Sequence, residues 1–210
     1  MKRNWSLLLG TAMALQGCIG APRMEQMPIN HYFADSRDLQ TVRRILVLPL
    51  QVGEGVDVDP QMMREIFVRE LNLLQRFQVE SLPLGADQET EINRALKHGE
   101  VSVPALVELA KQYNIDGVVV GRITSYKPYL PPHVGLEARM FSLHTGSWVW
   151  IADATFDTNS ASCMQDVRHY AATAVEAGDY EEDPARLILL GPRRFAAYAC
   201  HRLVGTWRRS

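Results

Sequence analysis

After its first 17 residues this 210-residue sequence has no apolar run long enough to cross a bilayer, which excludes a helical membrane span in the body of the chain. Charge of one sign is missing too. The 22 Lys and Arg stand against 24 Asp and Glu, so the electrostatics give no reason to expect a nucleic-acid partner. No Gly-x-Ser-x-Gly, Walker loop, His-Glu-x-x-His or Gly-x-Gly-x-x-Gly occurs, so the familiar nucleophile, phosphate, zinc and dinucleotide signatures are all absent. Cysteine is scarce, with only Cys18, Cys163 and Cys200. The six histidines, at 31, 98, 133, 144, 169 and 201, show no ligand spacing. Cys163, His169, Cys200 and His201 lack the close ligand pairs of a structural zinc site, so neither metal nor cofactor is expected. Repeats and low-complexity segments are absent, which fits a single domain.

The N-terminus is more distinctive. Lys2 and Arg3 open the chain, Trp5 to Leu15 form an apolar run, and Leu15-Gln16-Gly17-Cys18 closes it. The run is too short for a spanning helix, and its flanks are those of a removable signal. Leu15, Gly17 and Cys18 resemble the lipobox of bacterial lipoproteins, with Gln16 a less usual occupant. The resemblance implies cleavage after residue 17 and acylation of Cys18. The other readings are a secretory signal cut elsewhere and an apolar core helix. Cleavage removes Lys2 and Arg3 and takes the formal net charge from −2 to −4. About 190 residues remain, enough for one cored domain. Outside the cytoplasm Cys163 and Cys200 can pair as a disulfide or stay as buried thiols.

Residues 18–41, with Pro22 and Pro28 and no sustained period, read as a lipidated cysteine and its tether. The domain is expected over 42–210. Arg44 to Val52, rich in branched apolar residues, reads as a buried strand. Asp59-Pro60 starts a helix to about Gln75, with Met63, Ile66, Phe67, Glu70, Leu71 and Leu74 as its inward stripe. Arg76 to Leu82 alternates like a strand, a short helix fits 89–97, and Ser102 to Tyr113 reads as a helix closed by Asn114. Ile115 to Tyr126 is a central strand in which Gly121 predicts a close backbone approach or a bulge. His133 to Leu143 and Trp148 to Phe156 form a hairpin about His144-Thr145-Gly146. Helices follow over 162–177 and 192–207, with Glu181 to Pro184 as an acidic break. The result is an α/β (α+β) domain. Its mixed, about five-stranded sheet carries helices in the order β-α-β-α-β-β-β-α-α.

Four segments then carry a family likeness: Arg44-Ile-Leu-Val-Leu-Pro-Leu-Gln51, Leu71-Asn-Leu-Leu-Gln-Arg-Phe-Gln-Val-Glu80, Leu109-Ala-Lys-Gln-Tyr-Asn-Ile-Asp-Gly-Val-Val-Val-Gly-Arg-Ile-Thr124 and Leu136-Glu-Ala-Arg-Met-Phe-Ser-Leu-His-Thr-Gly-Ser-Trp-Val-Trp150. Their succession resembles the periplasmic lipoproteins related to the curli secretion pore CsgG, and the N-terminal domain of TolB. It covers residues 42 to 156. His144 departs from the Asp or Lys frequent near that turn. Residues 126–133, broken by three prolines, are too short for membrane-inserting strands, so pore formation is not expected.

The resemblance implies a non-enzymatic adaptor or assembly subunit of an envelope complex for secretion, cell-wall or surface-structure assembly, facing the periplasm, and Ile19 after the cysteine, which is no inner-membrane retention signal under the lipid-sorting rules of Gram-negative bacteria, favours the outer membrane. Its partners would be other envelope proteins or further copies of itself. Trp148 and Trp150, placed on one face by strand alternation, read as core covering the sheet in preference to a partner surface, and in that second reading Tyr126 and Tyr129 join them as the candidate partner surface. The competing class is an envelope enzyme or small-ligand binder whose site is assembled from residues distant in sequence. No catalytic residue is legible from spacing alone.

Overall fold

The computed structural model describes residues 27–34, 40–81, 103–174 and 183–209. The signal, Cys18 and the helix expected at 89–97 lie outside the described residues.

Seven strands form one mixed, open sheet: β1 (Asn30–Phe33), β2 (Arg44–Val47), β3 (Gln51–Val52), β4 (Gln78–Ser81), β5 (Gly117–Lys127), β6 (His133–Ser142) and β7 (Ser147–Asp157). The order across the sheet is β1-β7-β6-β5-β2-β4, with β3 beside β5. The pairs β1/β7, β7/β6 and β6/β5 are antiparallel, and β5/β2, β3/β5 and β2/β4 are parallel. Among the described residues these helices accompany them: α1 (Pro60–Leu73), α2 (Val103–Tyr113), α3 (Ala161–Ala174), α4 (Pro184–Leu190) and α5 (Pro192–Val204). A 3-10 turn over Gly205–Arg209 follows.

The mixed α/β sheet is as the alternation of strand and helix signals predicts, and two additions enlarge it. The strand expected over Arg44 to Val52 breaks in two around Pro49, which has no N–H to give a ladder. Leu50 beyond the break leans on β5, where a Cβ at Gly121 would meet Leu50 Cδ2 at 2.7 Å. The tightest neighbour at Gly121 is therefore a side chain and not the backbone predicted there, and the bulge of this strand lies further on, between Ile123 and Ser125. The second addition is β1, which lies inside the stretch read as tether. It zips along β7, Asn30 opposite Asp153 and Phe33 opposite Trp150.

Local signals work as chemistry dictates. Asp59 accepts the Gln61 N–H at 2.9 Å and Pro60 takes the first helical position. Met63, Ile66, Phe67, Glu70 and Leu71 form the buried stripe of α1. Asn114 ends α2 at φ 49° and Gly146 closes the β6–β7 turn at φ 66°.

The first crossover, β2-α1-β4, packs α1 on one face. The second returns across the sheet in the opposite direction, so the same handedness puts α2 on the other. Helices α1, α3, α4 and α5 thus bury one face in a core that includes Ile45, Val119, Met140, Trp150, Tyr198 and Trp207. On the opposite face Leu106 of α2 packs with Leu46, Leu48, Ile115, Val118 and Phe141.

Candidate functional site

Three places gather chemistry-bearing side chains. The first lies inside the helical layer. Asp166 Oδ2 accepts from the Tyr198 hydroxyl at 2.8 Å and from Arg202 Nε at 2.6 Å. Glu70, 3 % exposed, sits 3.0 Å from His201 Nδ1 and accepts from Arg69 Nη2 at 2.9 Å. Burial alone would raise the Glu70 carboxyl, but the hydrogen bonds from His201 and Arg69 outweigh it and hold it below the usual range. Burial pushes the Cys163 thiol up to about 11 and raises Cys200 as well, so both are poor nucleophiles. These groups lock α1, α3 and α5 together. A buried carboxylate left without partners would cost several kcal/mol (about 3–5).

The second place is the end of the sheet where β5 leaves and β6 enters. Ser125 Oγ lies 2.7 Å from His133 Nε2, and His133 Nδ1 lies 3.8 Å from Asp157 Oδ2. Asp157 is held by Asn159, whose backbone N–H and side-chain Nδ2 both reach Oδ1 at 2.9 Å. The backbone hydrogen bond from Asn159 leads the groups that draw the Asp157 carboxyl down. A bulge makes this possible. Ile123 faces Leu136 and Ser125 faces Gly135, so Thr124 is the extra residue. A Cβ at Gly135 would strike Thr124 Oγ1 at 2.3 Å and Ser125 Oγ at 2.5 Å, so glycine is what admits both hydroxyls. The atoms pair in the order a serine nucleophile, base and orienting carboxylate require. The 3.8 Å separation, however, is too long for the orienting hydrogen bond. The three residues lie on adjacent pleats of a sheet, each part-exposed.

The third place is the face opposite the four helices. Register sets Arg122, Glu137, Asp153 and Asn30 in one row, and Val120, Arg139, Ile151 and Tyr32 in the next. Asn30 Nδ2 donates to Asp153 Oδ2 at 3.0 Å. Arg122, Arg139 and Thr155 are exposed, and Tyr32 is 56 % exposed. Among the described residues only α2 packs on this face, and it covers the β2–β5 side.

The residues expected to form a partner surface separate. Trp150 is wholly buried against Trp207, its Nε1–H donating to Thr206 Oγ1 at 3.1 Å. Trp148 stacks edge-on against Phe141 on the opposite face, centroids 5.4 Å apart. Strand alternation puts the two tryptophans on one side, and the structure corrects this. Phe141 faces Trp148 while Met140 faces Trp150, so Val149 is an inserted residue that reverses the parity. Tyr126 is half-buried against the helical core, and burial raises its hydroxyl first, Tyr129 second. Tyr129 is 77 % exposed and Leu130 beside it 58 %. Cys163 and Cys200 are both buried and unbonded. Ser125, His133 and Asp157 span 32 positions with no spacing signal. Only the register of three strands brings them together.

No protein-family model and no curated protein matches the sequence. Among solved structures the chain is similar to the PelC dodecamer from Paraburkholderia phytofirmans, at 14 % identity over 65 % of this chain and 87 % of that one, TM-score 0.42. It is also similar to lipoprotein GNA1162 from Neisseria meningitidis, at 16 % identity over 65 % of this chain and 99 % of that one, TM-score 0.39. TolB from Acinetobacter baumannii aligns at 16 % identity over 74 % of this chain and 33 % of that one, TM-score 0.34. The structural neighbours thus include a bacterial lipoprotein and TolB. Likenesses this distant transfer no residue role.

Proposed function

We propose that this chain is a lipid-anchored, non-enzymatic adaptor of the bacterial cell envelope. Residues 1–17 are removed, Cys18 carries the lipid in the outer membrane, and the domain over 42–210 faces the periplasm. The face bearing Arg122, Glu137, Arg139, Ile151, Asp153 and Tyr32 receives another envelope protein or a further copy of the chain. The observation that carries this reading is a lipobox-like Leu15-Gln16-Gly17-Cys18 joined to a domain that leaves much of one sheet face to solvent. The motif order, which resembles that of the CsgG-related lipoproteins, supports the same reading. Alternating charges with a flanking tyrosine suit a polar, specific contact better than an apolar one.

The test is mass spectrometry of the native product with crosslinking in intact envelopes. A mature chain starting at an acylated Cys18, and a crosslinked partner lost when Arg122 and Arg139 are both changed to Glu, are expected. An unmodified sulfur at position 18 overturns the anchor. Crosslinks indifferent to the charge reversal overturn the surface.

One observation favours a second reading, the order Ser125–His133–Asp157. In that reading the chain is an envelope hydrolase of acyl esters. A fluorophosphonate probe that labels Ser125 and fails on His133→Ala would establish it, and absence of label would remove it.

A further inference from the structure

The anchored end and the most exposed apolar residues lie at the same end of the molecule. Met27 is buried, its sulfur 3.7 Å from the Tyr198 hydroxyl. Tyr198 packs on Phe156 with centroids 5.5 Å apart, and Phe156 faces Val134, which faces Tyr126. Strand β1 then runs from Asn30, opposite Asp153, to Phe33, opposite Trp150, away from that end. The connection from Lys127 to His133 closes the same end, where Thr158 Oγ1 donates to the Pro132 carbonyl at 2.9 Å. The tip of that connection holds Tyr129 and Leu130, 77 % and 58 % exposed. Strands β1, β7, β6 and β5 are successive neighbours. The tip therefore stands roughly 15 Å from the β1 edge, at about 4.8 Å per strand.

Chain length turns this into an orientation. The nine residue steps from Cys18 to Met27 span at most about 32 Å. The 11 residues of β7 extend roughly 35 Å from this end to the His144–Gly146 turn. Standing the domain on its far turn would take the whole reach of a leash fixed at Met27, whereas the near end meets the bilayer that holds Cys18 with length to spare. We infer that the Lys127–Pro131 tip docks on the lipid surface of the leaflet carrying the anchor, with Tyr129 and Leu130 entering the headgroup region. This rests on the proposed acylation of Cys18. Tyrosine suits the headgroup boundary, where its ring is dry and its hydroxyl wet. Lys127 at the base of the tip meets anionic headgroups. Glu54, exposed in the turn after β3, and Asp157 stand at the same end and limit entry to the tip. The polar sheet face then stands upright from the membrane, open to a partner approaching sideways.

The experiment uses the lipidated chain on vesicles of phosphatidylethanolamine and phosphatidylglycerol. Tyr129→Cys and, separately, His144→Cys carry an environment-sensitive dye, while Cys163 and Cys200 stay shielded. A nitroxide on the lipid headgroups should quench the dye at 129 about threefold more than the dye at 144, with a blue shift only at 129. A water-like, unquenched dye at 129 on chains that float with the vesicles overturns the orientation and leaves the anchor standing. A dye at 129 exposed on pure lipid yet shielded in native envelopes overturns it in favour of a protein at the tip. Chains that do not float at all sink the anchor itself, and the orientation with it.

Discussion

On one face of the sheet four helices bury aromatic and aliphatic side chains edge to edge. On the other, among the described residues, a single helix packs at the β2–β5 side and charged rows stand in water. The same strands make both faces, so the contrast comes from which alternate residue looks which way. On β6, Val134, Leu136, Ala138 and Met140 are in the helical core, while Glu137 and Arg139 are not. The covered face supplies stability, and the open face is left for recognition.

Substitutions at the covered face should cost most. Trp150→Ala removes a fully buried indole that touches Trp207 and donates to Thr206, and should lower unfolding free energy by about 3–5 kcal/mol. The shift in denaturant midpoint measures it. Trp148→Ala, two positions away but only partly buried on the other face, should cost only about 1–2 kcal/mol. Equal losses would contradict the separation of the two rings. Within the helical layer sits Glu70, paired with His201. Its folded carboxyl is depressed, so its contribution is full above the unfolded value of about 4.3 and fades as pH falls through the folded one. Wild type and Glu70→Gln should therefore differ in thermal midpoint at neutral pH and converge in acid. Arg139→Ala, exposed on the open face, should change stability by no more than about 0.5 kcal/mol while reducing partner crosslinking. A large destabilisation there would mean that the open face is part of the core.

Much of the covered face was legible because burial leaves a periodic trace. The α1 stripe, the Asp59-Pro60 cap, the β6 alternation and the Gly146 turn all sit where their residue types require. Helix α4 was not anticipated, although Asp183-Pro184 repeats that cap signal and Asp183 accepts the Ala185 N–H at 3.0 Å. Its acidic flank masked it. Strand β1 was hidden because four residues, Asn30-His-Tyr-Phe33, carry too little pattern to compete with neighbouring prolines. The Ser125–His133–Asp157 cluster depends on the Thr124 bulge, and bulges leave no periodic trace.

The insertion at Val149 has a consequence for descent with change. Because one surplus residue decides which side every earlier member of β7 addresses, deleting it would turn Trp148 inward and drive Ser147 across as well. A point exchange on that ribbon alters one site, whereas a lost codon there exchanges the sides of Ser147 and Trp148 together. Lengths in this hairpin should therefore drift far less than its letters.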